Sequence, residues 1–199
     1  MIAPSSRGGK TTEQVGFFRL SAETLASWLS DGFANSRVNT RPLWSGLPSM
    51  LVALAPSPVV SRYACLPMAG GWTALFNNSP LGTDVGVLPS LAARELGVCA
   101  VRAVSRDDLY PARILEVFGP DGSPPLLLRR SIVAANDGGR WVFETFGAPF
   151  EFEDDSTYRL RRKADRFPAE SLIQYLNAIG IPIESEPIWP EAVVVEISE

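Results

Sequence analysis

The stretch of sequence that decides the fold reads GGRWVFETFG (138–147), PFEFEDD (149–155), YRLRRKADRF (158–167) and PAESLIQYLNAIG (168–180). In this order, the segments predict an aromatic strand, an acidic turn, a basic run and an amphipathic helix. Pro168 suits the first turn of that helix, and Gly180 suits the position just after its end. Leu172, Leu176 and Ile179 recur at helical spacing, so one face of the helix is predicted to be apolar.

The aromatic strand belongs to a longer antiparallel pattern. Two apolar runs precede it, separated by the turn residues Pro120, Asp121 and Gly122 and followed by a second turn at 136–139. The three predicted strands cover Ala112–Gly122, Leu126–Ala134 and Arg140–Phe146. This pattern predicts a three-strand meander at the centre of a mostly antiparallel sheet.

The third strand of the meander has aromatic residues on both faces, with Phe143 and Phe146 pointing in opposite directions. This pattern predicts a central strand that is largely covered. Glu144 is then an acid within an apolar run. We interpret it as an exposed carboxylate or one paired with Arg129 or Arg130, and a catalytic acid is the alternative.

Two further helices are marked by their end residues. Ser21 suits the N-cap of a helix over Ala22–Ser30, and Pro89 suits the first turn of the next helix. Strands predicted at Trp72–Phe76 and Val98–Val104 flank this second helix, so the unit is a candidate βαβ crossover.

Additional strands are predicted at 59–66 and 192–197, whereas the segments 15–20 and 50–55 are each compatible with a strand or a helical element. We therefore predict an α+β fold: a mostly antiparallel sheet with a central three-strand meander and about three short helices packed on it.

The 199 residues fit one ordinary domain. We predict a mobile N-terminal tail over residues 1–14 and a single α+β domain over residues 15–199. No apolar run approaches the roughly 18–20 residues of a membrane span. The first residues also lack the apolar core of a secretory signal, so a cytoplasmic location is expected.

The composition narrows the chemistry. The chain contains no histidine, which excludes Ser-His-Asp and Cys-His catalysis and His-ligated zinc. Carboxylate, lysine, tyrosine and serine–lysine chemistry stay open, so the enzyme hypothesis is weakened but not removed. Cys65 and Cys99 lie in apolar surroundings and are predicted to be buried free thiols, with a disulfide between them as the alternative.

Four motif-like features predict no cofactor, metal or catalytic residue. GGKTT (8–12) ends like a phosphate-binding loop, but Pro4 stands where that motif needs glycine. The carboxylates of 151–155 lack calcium-loop spacing. The basic run 159–166 lies beside these carboxylates and is predicted to pair with them. Asp84, in the stretch Gly82-Thr83-Asp84, is predicted to be a turn or cap residue.

Acidic residues concentrate in the last third of the chain. Residues 144–199 carry twelve acidic and five basic side chains, and no Lys or Arg follows Arg166. Such a surface repels nucleic acid and favours a basic protein partner; the alternative is a surface that only aids solubility. The candidate partner-binding residues are two acidic clusters and one aromatic anchor: Glu151, Glu153, Asp154, Asp155, Glu184, Glu186 and Trp189.

The chain also resembles a family of small uncharacterised bacterial proteins. The resemblance spans about Trp72 to Ile181. It rests on GGWTALF, EVFGPDG and GGRWVFETFG, on YRLRR followed by DRF, and on YLNAIGI. In size, acidity and cytosolic character such proteins are similar to the immunity proteins that protect a cell from its own secreted toxin. The resemblance implies no catalytic residue, and the proline-rich first third lies outside it.

We therefore expect a non-catalytic, protein-binding function, of the immunity-protein or antitoxin-like kind. Its acidic surface would occlude a basic cleft of a toxin or effector. One alternative is a small-molecule-binding protein or an enzyme that uses Glu144 or Asp84. Another is a structural subunit of an assembly, with Pro42–Pro58 as the oligomer contact. The sequence does not specify the partner or the oligomeric state.

Overall fold

A computed structural model of the chain describes Pro4 and residues 10–32, 37–43, 46–78 and 83–198. The strands within these ranges are β1 Gln14–Phe18, β2 Arg37–Pro42, β3 Val60–Met68, β4 Trp72–Asn77, β5 Ala100–Arg106, β6 Ala112–Ser123, β7 Leu128–Asn136, β8 Trp141–Phe146 and β9 Val193–Ser198. The α-helices are α1 Lys10–Glu13, α2 Ala22–Asp31, α3 Gly46–Ala53, α4 Thr83–Leu96 and α5 Ala169–Ile179. The α+β class is confirmed.

The strands form one antiparallel sheet in the order β2-β9-β3-β4-β1-β5-β6-β7-β8. The predicted meander is present as β6, β7 and β8, but it forms one end of the sheet and not its centre. The sheet is therefore larger than predicted. β8 is an edge strand, so the prediction of a central, covered strand was wrong.

The edge strand β8 carries aromatic residues on both faces because one face is covered locally. The Phe143 and Tyr158 ring centroids lie 5.2 Å apart, and the Arg166 guanidinium lies 5.4 Å from the Phe143 ring. On the opposite face Phe146 is 46% exposed. Aromatic residues on both faces of this strand therefore do not show that both faces are buried.

The predicted unit around the second helix is a split crossover. β4 and β5 both pair antiparallel with β1, which lies between them. The two strands connected through α4 are thus parallel to each other, with β1 inserted. From the sequence, residues 15–20 were compatible with either a strand or a lead-in to a helix, and the structure has the strand.

Helix ends follow the local sequence signals closely. The Ser21 hydroxyl accepts a hydrogen bond from the Thr24 amide at 3.1 Å, which caps α2. Gly180 ends α5 with a φ of 94°, a left-handed conformation that favours glycine. Pro89 lies inside α4 and not in its first turn, because this helix begins earlier, at Thr83. With α1 and α3 the described residues contain more helices than the three predicted.

Helices cover both faces of the sheet. Consecutive side chains of a strand point to opposite faces, and in β1 Phe17 and Phe18 belong to two different buried clusters. Phe18 packs with Leu25 of α2 and with residues of α4. Phe17 belongs to the cluster that contains Met50 of α3 and Leu176 of α5. The sheet is thus the middle of three layers.

The structure describes part of the predicted N-terminal tail. Residues 10–13 form α1, Gln14 opens β1, and Thr12 and Glu13 are buried. The remaining predicted tail residues, apart from Pro4, lie outside the described residues, as do Gly8 and Gly9 of GGKTT. Within the described ranges, no helix has both the length and the apolar character needed to cross a membrane.

Both cysteines are free thiols. Cys65 lies on β3 with none of its surface exposed, and burial raises its pKa to about 12. Cys99 is half-buried; burial raises its pKa, an effect opposed by the nearby positive charge of Arg129. Since the folded state favours the protonated thiol of Cys65, this contribution to stability is lost as pH rises from 9.0 towards 12.

This environment predicts that Cys65 is inert in the folded protein. At pH 8 a thiol with a pKa near 12 has a thiolate fraction about a thousandfold below that of an ordinary cysteine. In a Cys99→Ser variant, we expect an aromatic disulfide reagent to modify Cys65 at least about a hundredfold more slowly in native buffer than in denaturant. Equal rates in the two conditions, measured by absorbance, would contradict a buried Cys65.

Candidate protein-binding surface

The first predicted acidic cluster lies in the loop after β8. Glu151, Asp154 and Asp155 are exposed there. The Asp154 carboxylate accepts hydrogen bonds from the Ser156 amide at 3.1 Å and the Ser156 hydroxyl at 2.5 Å. Asp155 lies 4.0 Å from Arg159, and both side chains are well exposed. These carboxylates therefore shape the loop and still face solvent.

Glu153, from the same acidic run, lies inside the protein. Its side chain is 0% exposed and forms a bidentate ion pair with Arg130, whose side chain is 2% exposed. The two hydrogen bonds are 2.9 Å and 2.6 Å long. Glu153 is thus not available to a partner at the surface, in contrast to its predicted role in the binding cluster.

The buried pair is hydrogen-bonded on all sides. The Phe150 amide and the Tyr158 hydroxyl donate to Glu153 at 3.0 Å and 2.8 Å. Arg130 also donates to the carbonyls of Phe146 and Gly147, at 3.1 Å and 2.8 Å. These bonds fasten the loop that follows β8 to β7. The pair is therefore structural, with no free donor or acceptor directed at a ligand site among these contacts.

The pKa values of the network reflect this arrangement. Burial disfavours the Arg130 guanidinium, but hydrogen bonds and attraction from Glu153 outweigh it and raise its pKa. Burial raises the pKa of Tyr158, and its hydrogen bonds with Tyr175 and Glu153 add to the shift. Both shifts favour the charged guanidinium of Arg130 and the neutral hydroxyl of Tyr158, the forms that pair with and donate to Glu153.

The basic run is held partly by its own neighbours. Arg162 lies 3.6 Å from Asp165, and Arg166 donates to the Leu160 carbonyl at 2.7 Å. The predicted pairing with the acidic turn is seen at Arg159 and Asp155, at the limit of ion-pair distance. Exposed pairs of this kind contribute little to stability.

The second predicted cluster lies between α5 and β9. Glu184 and Glu186 are exposed, and Trp189 is half-buried in a short 3₁₀ turn, Trp189–Glu191. The Trp189 indole donates to Glu186 at 3.4 Å, and its ring packs against the core. The neighbouring Ile188 is 42% exposed. This segment therefore presents an apolar centre among carboxylates.

A cleft of about 510 Å³ opens beside this segment. The Ile188 amide donates to the Pro67 carbonyl at 2.8 Å, which holds the segment against β3 and forms one wall. The cleft is lined by Leu20, Ser21, Ala22, Glu23, Pro67, Met68, Gly71, Trp72, Thr73, Ile188, Glu191 and Val193. Its floor is buried and largely apolar, with Met68 3% and Trp72 4% exposed.

The charge of the cleft is negative. Glu23 and Glu191 both line it and are exposed, and none of the described lining residues is Lys or Arg. Glu23 is brought there by the first turn of α2, where a carboxylate also suits the positive helix end. Glu23 was not among the candidate partner-binding residues predicted from the sequence. Only the order of strands in the sheet, which local sequence does not reveal, brings Glu23 to the same cleft as Glu191.

The arrangement suits one chemical class of contact. An apolar floor with carboxylates at its mouth matches the side chain of lysine or arginine, whose aliphatic stem is buried while its charged head stays near the surface. Among the described residues, no group of three or more His, Cys, Asp or Glu side chains is placed to hold a metal ion. The lining of the cleft is chemically compatible with a basic side chain.

The alternative catalytic acids are placed differently. Glu144 is exposed on the edge strand β8, opposite Val133 of β7. Of the two predicted placements, an exposed carboxylate or one paired with arginine, the exposed one is found; Arg130 pairs with Glu153 and Arg129 with Asp121. Gly82 and the side chain of Asp84 lie outside the described residues.

Comparisons with known proteins assign no function to this surface. The chain matches no protein-family model, no curated protein and no solved structure. The resemblance to immunity-protein-like families stays a prediction. The function must therefore be argued from the acid-lined cleft and its surroundings.

Proposed function

We propose that this protein is a non-catalytic inhibitor of the immunity-protein or antitoxin-like kind, which binds a basic protein through the cleft bordered by Glu23 and Glu191. The observation that carries the proposal is an apolar floor with two exposed carboxylates and, among the described residues that line the cleft, no Lys or Arg. This combination favours a basic partner residue over an acidic or a purely apolar one.

The charge around the cleft supports a basic partner. Glu184 and Glu186 are exposed on the segment that forms one wall. Like charges gathered on one side of a protein raise the rate at which an oppositely charged protein meets it. We therefore expect association that weakens steeply as salt is added, because screening acts first on exposed charges.

The apolar residues support a central anchor. Interface energy is concentrated in a few residues that lose their water, with charged residues around them. Ile188 is exposed at the mouth, and Trp189 lies next to it with one edge towards Glu186. In this proposal a Lys or Arg of the partner enters the cleft, and Ile188 and Trp189 cover it.

The inhibitory mechanism is occlusion. The partner's basic cleft, which in a toxin would bind an anionic substrate, is covered by the acidic surface. No chemical step by this chain is required. In this proposal the exposed acids of the first cluster, Glu151, Asp154 and Asp155, are a secondary contact for the partner.

The first experiment identifies the partner. The tagged protein is captured from its native host at low salt, and proteins retained in stoichiometric amount are identified by mass spectrometry. The candidate is then purified, and its growth inhibition is measured with and without this protein. Rescue of growth by a basic, directly bound partner is the expected result; recovery of the protein alone at low salt counts against the proposal.

Charge reversal in the cleft tests the binding site. We expect Glu23→Lys and Glu191→Lys each to slow association with the purified partner by about tenfold at low salt, because each replaces an attraction by a repulsion. The matched control is Asp31→Lys, which makes the same charge change in the last turn of the same helix, outside the cleft. Surface plasmon resonance at several salt concentrations gives the rates.

The outcome is read against that control. Equal slowing by Asp31→Lys and Glu23→Lys would assign the effect to net charge and not to the cleft. Affinity unchanged in both cleft variants, and in a variant that also reverses Glu151 and Asp155, would exclude the acidic surface as the binding site. Thermal unfolding of each variant verifies that the fold is intact.

A further inference from the structure

A second cavity, of about 510 Å³, lies under α3 at the other end of β3 from the acid-lined cleft. Its polar wall is formed by Arg41 of β2, Arg62 of β3 and Glu196 of β9, and Leu43, Val52 and Ala53 contribute apolar surface. Arg62 is separated from Pro67 of the first cleft by about 17 Å along β3, at about 3.3 Å per residue. The cavity is thus a distinct site.

The sheet register brings the three charged residues together. Glu196 lies directly opposite Arg62 on one side and opposite Asn39 on the other, so Arg41 is its diagonal neighbour. Residues in these positions share one face of the sheet. Two cationic side chains from flanking strands therefore meet one carboxylate of the strand between them.

Both arginines use the same carboxylate oxygen. Arg41 donates to Glu196 Oε1 through Nε at 3.3 Å and through Nη2 at 3.2 Å. Arg62 Nε lies 3.3 Å from the same oxygen but is buried without a hydrogen-bond partner. One negative charge thus faces two positive charges, and a guanidinium N–H within the cluster is unsatisfied.

The rest of Arg62 is fixed by the chain around it. Its Nη1 donates to the Ala55 carbonyl at 3.1 Å, just after α3. Its side chain is 24% exposed, and that of Arg41 is 43% exposed. The guanidinium groups are therefore held in place while still accessible from the cavity.

We propose that this cavity binds a small monocarboxylate with an apolar body. The net charge of the cluster matches a single anionic group, and a planar carboxylate fits the paired N–H groups of a guanidinium. The apolar surface of Leu43, Val52 and Ala53 then receives the hydrocarbon part. Glu196 orients the arginines and competes with the ligand for them. The site is independent of the proposed inhibitory function.

The test is a titration of the full-length protein, followed by ¹H–¹⁵N NMR at low ionic strength, with hexanoate as the probe. Hexanamide is the neutral control of the same shape, and inorganic phosphate is the control for a different anion. We expect saturable hexanoate shifts in β2, β9 and α3, and none from hexanamide. Phosphate is expected to bind at least about tenfold more weakly, since it lacks an apolar body.

Three variants separate ligand binding from structural support. Arg41→Gln is expected to weaken hexanoate binding by about tenfold, and Glu196→Gln to strengthen it by a similar factor, because the competing negative charge is gone. Arg37→Gln, an exposed position on the same strand that does not line the cavity, is expected to leave the affinity unchanged. A purely structural cluster predicts no tightening in Glu196→Gln.

Several outcomes would overturn the proposal. These are the absence of saturable shifts with hexanoate, equal binding of hexanamide, or tighter binding of phosphate than of hexanoate. An affinity that is the same in Arg41→Gln and Glu196→Gln as in the unaltered protein has the same consequence. Arg41 is preferred to Arg62 for the test because its side chain is more exposed, so its loss disturbs the fold less.

Discussion

Replacing Glu153 by alanine is expected to lower the free energy of unfolding by about 3–5 kcal/mol. The change leaves the Arg130 guanidinium buried without its counter-charge, and it removes the acceptor for the Tyr158 hydroxyl and the Phe150 amide. An isolated buried charge is far more costly than a paired one. Urea unfolding followed by tryptophan fluorescence gives the measurement.

A double variant provides the control for this prediction. Arg130→Met combined with Glu153→Leu removes both charges and retains side-chain volume, so it is expected to recover much of the lost stability. Tyr158→Phe, which removes one hydrogen bond to Glu153, is expected to cost about 1 kcal/mol. If the double variant is as unstable as Glu153→Ala, the unpaired charge is not the cause of the loss.

Gly147→Ala is expected to be the second most damaging change, at about 2–5 kcal/mol. Gly147 has a φ of 78°, and a Cβ at this position would lie 2.0 Å from the Arg129 carbonyl oxygen. The chain leaves β8 here and returns over β7, where the Gly147 carbonyl accepts from Arg130. The substitution thus strains the backbone and pushes the loop away from the buried ion pair.

Gly97→Ala is the matched control for Gly147→Ala. Gly97 has a similar φ of 65°, but a Cβ there would meet no atom within 4 Å. Its loss is expected to be about 1–2 kcal/mol, the cost of the backbone conformation alone. Equal losses for the two alanine variants, measured by urea unfolding, would show that contact with Arg129 contributes nothing.

The local features of the fold were predictable from local signals. The meander followed from alternation and turn residues, and the ends of α2 and α5 followed from Ser21 and Gly180. These signals act over a few residues, so they need no knowledge of distant partners. The positions of β1 and β9 within the sheet depend on pairing between residues far apart in sequence, and no local pattern specifies such pairing.

In the proline-rich first third, β2 was not predicted, and the region of α3 was left open between a strand and a helical element. β2 is exposed along nearly its whole length and ends at Pro42, so it lacks the apolar alternation of a covered strand. α3 is apolar almost throughout, and its periodicity does not distinguish a helix from a strand. β2 is specified by its pairing with β9, and α3 by the sheet face that it covers.

The candidate site was predictable only in part. Glu184 and Glu186 are exposed, whereas Glu153 sits among exposed acids in sequence and is buried in space. Its flanking residues Phe150 and Phe152, whose rings stack 5.2 Å apart, were the one local sign of a covered position. A run of like charges gives no indication of which member has a buried partner.

The order of strands has a consequence for synthesis on the ribosome. β2 has β9 as its strand neighbour in the sheet, and β3 has β9 on the side away from β4. At about 5–20 residues per second, β9 emerges roughly ten seconds or more after β2. Until then β2 and β3 lack their shared strand partner in the nascent chain. A product truncated before Val193 lacks β9, a strand in the interior of the sheet. A nascent chain without β9 therefore exposes the pairing edges of β2 and β3, which other chains can join.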